Sequence, residues 1–158
     1  MKSFKVFLAL LLCLSIAGVV NAHIIISDPK GGGPTSLTVP AYNNSGATLT
    51  AGDTVIWDIN NSTGNDDFWV TTTTTADTQL VAGVVWPGDI SANSSGAIVI
   101  WGIARCDITS TNLGPGTPIC NSATAGEATL CTDEDAAFAM TTEPASASLA
   151  NCFVGLLP

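Results

Sequence analysis

Gly96-Ala97-Ile98-Val99-Ile100-Trp101-Gly102-Ile103-Ala104 is the stretch on which the fold reading turns. Residues 97–104 are apolar at every position, so they offer no face to water. A short apolar run after the turn-forming Asn93-Ser94-Ser95-Gly96 reads as a strand buried on both faces, at the centre of a sheet. Upstream, residues 79–85 form the next strand, closed by the turn Trp86-Pro87-Gly88-Asp89. Before it, residues 68–75 end in five threonines, a β-branched type suited to a pleated, half-exposed surface. Residues 54–60 place Val55, Trp57 and Ile59 on one face by period two. A further strand is expected at residues 36–41.

Downstream, short strands are expected around Cys106 and at residues 118–121, 128–132, 137–141 and 149–156. Only residues 133–140 admit a helical turn. Strands at intervals of roughly ten residues, with Gly, Pro and Asn turns between them, predict an all-β fold. The expected architecture is a single β-sandwich or barrel of short antiparallel strands.

The N-terminus says where the chain works. Lys2 and Lys5 precede an apolar run over residues 7–20, and Val20-Asn21-Ala22 ends it with a small residue. This is the pattern of a secretory signal peptide cut after Ala22. The run is too short for a membrane span in the mature chain. The division is therefore 1–22 signal peptide, 23–34 N-terminal strand and Gly/Pro hinge, and 35–158 β-domain, with a secreted, extracellular product.

Lys2 and Lys5 leave with the signal, so Lys30 and Arg105 face 13 acidic residues. Such a surface repels nucleic acid and anionic lipid, and nucleic acid is excluded as a partner. Charged residues make up only 11% of the whole chain, below the usual quarter, with Thr, Ser, Ala, Asn and Gly in their place. That suits a Thr-rich secreted β-domain. It equally suits a surface buried against copies of itself, where charge is costly.

Cys13 also leaves with the signal. Cys106, Cys120, Cys131 and Cys152 remain, an even number in an exported chain, and read as two disulfides. Cys120 and Cys131 flank a hairpin turn at residues 123–127, which brings them within bridging distance. Cys106 then pairs with Cys152 and ties the last strand to the sheet. No C-x-x-C spacing supports a zinc site.

Several phrases carry a family likeness: Ala51-Gly52-Asp53-Thr54-Val55, then residues 76–85, 96–102, Gly116-Thr117-Pro118, Ser122 and Gly126-Glu127-Ala128. Their order resembles the small β-domains of phage capsid-decoration (cement) proteins and related virion or tubule-forming structural proteins, over about residues 50 to 155. The resemblance implies a compact β-barrel or sandwich that packs edge to edge, without an active site. A signal peptide and paired cysteines depart from a decoration protein made in the cytoplasm. They shift the expectation toward a cell-derived extracellular assembly.

Candidate chemistry is sparse. His23, N-terminal after cleavage, could bind copper through its amine and ring, as in copper polysaccharide monooxygenases, but that brace needs a second His and the chain has one. No cofactor is expected, and the chain does not read as an enzyme. Asp66-Asp67 and Asp133-Glu134-Asp135 lie in polar turns, where acidic residues are solvated and match no calcium-loop signature. Among four tryptophans, Trp57 and Trp101 read as core, whereas Trp86, in a turn, is the candidate for stacking on a sugar ring. Asn43, Asn60, Asn61 and Asn93 fit the glycosylation-acceptor pattern in expected loops.

Ile24-Ile25-Ile26 is a sticky β-branched strand, tethered through Gly31-Gly32-Gly33-Pro34. It can fold back on its own sheet or add to a neighbour's edge. Head-to-tail addition does not close and generates filaments or tubes from copies of the same chain. The leading expectation is a self-assembling subunit of an extracellular filament, tubule or surface layer. The alternative is a monomeric carbohydrate- or surface-binding module, with a small hydrolase third.

Overall fold

A computed structural model describes residues 36–59, 68–146 and 149–155. Their strands are β1 (Leu37–Asn43), β2 (Thr54–Trp57), β3 (Trp69–Thr71), β4 (Val81–Val85), β5 (Ser95–Asp107), β6 (Thr111–Leu113), β7 (Pro118–Asn121), β8 (Ala128–Leu130), β9 (Ala139–Thr141), β10 (Ala145–Ser146) and β11 (Leu149–Val154). The fold is all-β. The one helical element among the described residues is the 3-10 turn Glu134–Ala136, capped by the Asp133 carboxylate, which accepts the Asp135 N–H.

Strand β5, 13 residues long, organises the rest. Ile98 in its first half faces Val39 of β1 on one edge and Val85 of β4 on the other. β4 pairs with β2, β2 with β3, and β3 with β1, so five strands close into a barrel. The expected all-antiparallel pairing fails at one seam: β1 and β3 run parallel, with Tyr42 opposite Trp69. The reason is parity. Directions cannot alternate all the way round a closed ring with an odd number of strands.

The second half of β5 belongs to another layer. Gly102, Ala104 and Cys106 face Val154, Cys152 and Ala150 of β11, and the sheet continues through β9, β7 and β8. The chain leaving β5 then returns to β8. Ile108 bridges Ala128, and Ser110 Oγ accepts the Leu130 N–H at 3.0 Å. This covers an edge that would otherwise be open for pairing. β6 and β10 form a separate two-stranded ribbon.

The passage between the layers is made by a bulge. Leu37 faces Trp101 but Thr38 faces Val99, so Ile100 is an extra residue on β5. A bulge bends its strand and changes which side chains face inward. Before it, β4 and β5 form a wall shared by two cores. Val81, Val84 and Val99 enter the larger core, around Ile108, Ile119 and Phe138. Ala82, Val85 and Ile98 enter the barrel core, around Leu49, Val55, Val70 and Ile90. Gly83 permits this close approach, since a Cβ there would lie 2.3 Å from the Val99 carbonyl oxygen.

Double burial therefore falls on all of β4 and on Ile98–Val99, not on the whole of residues 97–104. Past the bulge, β5 leaves the shared wall and alternates. Gly102, Ala104 and Cys106 turn inward, while Trp101 is 48% exposed. Inside β2 the period-two reading holds: Val55 and Trp57 pack toward the barrel core and Ile56 toward the larger one, while Ile59 lies beyond the strand. Val55 is buried, Trp57 half-buried and Ile59 exposed.

Candidate assembly surface

An apolar cleft opens where the two layers part. β4 pairs with β5 only at Val84 and Val85, and β11 takes up pairing at Gly102. Both lie on the same edge of β5, because the opposite edge at Ile103 is occupied by Ser36, whose hydroxyl donates to the Ile103 carbonyl at 2.6 Å. Between the two ladders is a hollow of about 250 Å³ lined by Trp57, Leu80, Val81, Gly83, Ile100 and Val154. Past Phe138 it continues into a second hollow of about 240 Å³, where Thr78 and Asp135 make the wall polar. Leu80 stands at the rim, 43% exposed. Trp57 carries the apolar surface on to Phe68, with ring centres 5.5 Å apart.

A second apolar feature crosses the outer face of the β11 sheet. Ile103, Phe153, Met140 and Pro118 stand opposite one another across four strands, each half-buried. Trp101 packs edge-on against Phe153 at 5.3 Å. Exposed apolar surface of this kind, contiguous and rimmed by polar groups, marks a contact surface more often than isolated apolar residues do.

The structure disposes the expected site residues unevenly. Ile24, Ile25 and Ile26 lie outside the described residues, as do Asn60, Asn61, Asp66 and Asp67. Trp86 is not a free platform: its ring is half-buried and packs against the larger core, because the turn at residues 87–89 folds it inward. The most exposed tryptophan is instead Trp101. The ring pairs Tyr42–Trp69, Trp57–Phe68 and Trp101–Phe153 are inclined at 43°, 50° and 81°, so no pair offers a common flat face to a sugar.

Cys106 bonds to Cys152, and Cys120 to Cys131. Each bridge is diagonal: Cys120 stands opposite Thr129, two positions from Cys131, and Cys152 stands opposite Ala104, two positions from Cys106. Residues two apart share a face, which makes the diagonal reach possible. Asn43 is not a loop acceptor for glycan. It ends β1 with no exposed surface, and its amide is committed inside the protein. Asn93 is exposed in a turn.

No group of three or more His, Cys, Asp or Glu side chains converges as a metal site among the described residues. No described helix is long and apolar enough to cross a membrane. One carboxylate is perturbed. Burial raises the Asp53 pKa above the ordinary aspartate value, and the nearby charges of Asp107 and Asp89 raise it further. Hydrogen bonds from the Thr50 N–H and hydroxyl, at 2.7 and 2.9 Å, pull the other way. A carboxylate whose folded pKa is raised opposes folding when ionised, and that penalty is relieved as pH falls through the folded value. Asp53 is half-buried, so solvent screening keeps the effect small. Carboxyl carbon shifts followed by NMR should show Asp53 titrating above the ordinary aspartate value, and Asp107→Asn should lower its midpoint. A midpoint unmoved by that substitution would contradict the charge contribution.

No protein-family model and no curated protein sequence matches the chain. Among solved structures, the head fiber gp8.5 N base of bacteriophage phi29 is similar at a TM-score of 0.51 and 15% identity, over 75% of this chain and 94% of that one. At that identity the likeness concerns the fold. It is a likeness to the fold of a phage structural protein.

Sequence reasoning missed the cleft. Leu80, Ile100 and Val154 sit in three separate segments, the turn before β4, β5 and β11, with no common spacing. The nearest signal was Leu80, an apolar residue two positions after the Ala76-Asp77-Thr78 turn.

Proposed function

We propose that the mature chain, residues 23–158, is an exported structural subunit that assembles with copies of itself into an extracellular filament, tubule or surface layer. The observation that carries this reading is the fold: a two-layered β body, disulfide-stapled, similar to a piece of a virion fiber. The low content of charged residues and the exposed apolar cleft suit burial against like subunits. In this reading Ile24-Ile25-Ile26 is the donor strand, which adds to a neighbouring subunit through the Gly31–Pro34 tether. Contact of that kind is head-to-tail and propagates.

Electron microscopy of the purified mature chain under oxidising conditions tests the reading. Regular filaments, tubes or sheets are expected, and a chain lacking residues 23–30 should remain dispersed. Dispersed monomers of the mature chain across concentrations and salts would overturn the assembly reading. Normal polymers from the shortened chain would remove the donor strand from it.

A further inference from the structure

We infer that the outer face of β5 at Trp101, Ile103 and Arg105, with Phe153 of β11, receives the acidic turn at residues 133–135 of a neighbouring copy. This rests on the assembly reading and adds a contact made by folded residues alone, independent of the Ile24–Ile26 segment. The receiving face is set by the bulge at Ile100. Past it, alternation along β5 turns Gly102, Ala104 and Cys106 inward and Trp101, Ile103 and Arg105 outward. Trp101 and Arg105 are exposed, and Phe153 stands opposite Ile103 with its ring edge-on to Trp101. Aromatic rings and arginine on one patch are the side chains that most often anchor protein contacts.

Charge selects the occupant. Among the described residues Arg105 is the one Lys or Arg, in a chain with 13 acidic residues. Its Nη2 donates to the Leu149 carbonyl at 3.1 Å, and no described carboxylate pairs with it. The other guanidinium donors are left for an acceptor from outside the chain. Copies of so acidic a chain repel over most of their surface, so a single cationic patch fixes where two of them can meet.

The matching group is carried by the chain itself. Asp133, Glu134 and Asp135 are consecutive and exposed. The Asp133 carboxylate accepts the Asp135 N–H at 3.1 Å, and Ala136 and Ala137 bury against Cys120 of β7, which fixes the turn in place. Ile119 enters the larger core, so Cys120 beneath the turn faces outward, as Arg105 does. β11 and β9 separate β7 from β5. Three strand spacings, about 14 Å, thus part the turn from the Arg105 of its own chain, beyond the range of an ion pair. The pairing is between copies. Because the two patches differ, the contact is head-to-tail and repeats without closing.

The test is a charge swap on the full mature chain, read by sedimentation velocity and electron microscopy. Arg105→Glu and Glu134→Arg should each raise the critical concentration for assembly by about tenfold or more, because each sets like charges against one another at the contact. The chain carrying both should return to within about threefold of wild type, since the reversed pair restores the direct coupling. Both positions are exposed and Glu134 is not the capping residue, so urea denaturation of each variant should match wild type. Arg105→Glu that assembles at the wild-type concentration would overturn the contact, as would two single defects that the double variant does not repair. Should a reversed charge disturb folding, Arg105→Gln and Glu134→Gln decide instead. Their double variant should assemble no worse than either single one, whereas additive losses would overturn direct pairing. Failure of the wild-type chain to assemble would strike the assembly reading itself, and this contact with it.

Discussion

Asn43→Ala is expected to destabilise the protein by about 3 kcal/mol, through several buried hydrogen bonds lost at once. The Asn43 side chain is fully buried at the end of β1. Its Nδ2 donates toward the carbonyls of Ala47, Ile90 and Ser91, at 2.7, 2.9 and 3.2 Å. Its Oδ1 accepts from the Ser45 N–H and hydroxyl, at 2.9 and 2.7 Å. One amide thus ties the loop after β1 to the turn that precedes β5. Alanine leaves the Ile90 carbonyl with one partner fewer and opens a polar void. Asn43→Asp should be worse than alanine at neutral pH, because an acceptor would then face three carbonyls in a buried site. Urea denaturation measures both. An alanine variant within about 0.5 kcal/mol of wild type, the range of ordinary surface substitutions, would show that water replaces the network.

Removing the Cys106–Cys152 bridge by paired alanine substitution should cost about 4 kcal/mol, as the loop-entropy relation gives for its separation of 46 residues. The Cys120–Cys131 bridge closes a separation of 11 and should cost about 3 kcal/mol. The order matters more than the values. Cys106 and Cys152 are also fully buried in the larger core, so their loss adds a packing defect to the entropy change. Against a typical total stability of about 5–15 kcal/mol, losing the longer bridge brings the domain near its unfolding threshold. Thermal unfolding of the two double variants, each with the other bridge intact, tests this. A larger loss from the Cys120–Cys131 pair would show that local geometry outweighs loop closure.

Both variants concern features with different legibility. Four cysteines in a chain whose N-terminus reads as a signal peptide can be taken as bridges, and the hairpin between Cys120 and Cys131 names one pair, which leaves the other. Asn43 offered no such signal. In sequence it begins a polar run, Asn43-Asn44-Ser45-Gly46, and suggests an exposed loop with a glycan acceptor. Its burial depends on residues 90 and 91 meeting residue 43, a contact between parts of the chain some 47 positions apart.

The aromatic residues were misplaced for a related reason. Trp86, beside Pro87, had the local signature of an exposed turn, yet that turn folds its ring against the larger core. Trp101 had the signature of core, yet a one-residue bulge at Ile100 turns it outward. A bulge is invisible in an apolar run, because it depends on the partner strand being one residue short.

What the sequence determined by itself is local. Alternation, β-branched runs and turn residues define strands over most of the described chain, and they place the fold among all-β proteins, because each rests on interactions within a few residues. The tertiary structure alone decided how those strands close. The parallel β1–β3 seam, the wall shared by two cores and the cleft at the parting of β4 and β11 all arise from strand order around β5. That order is fixed by contacts between segments far apart in sequence, and no pattern within any one of them records it.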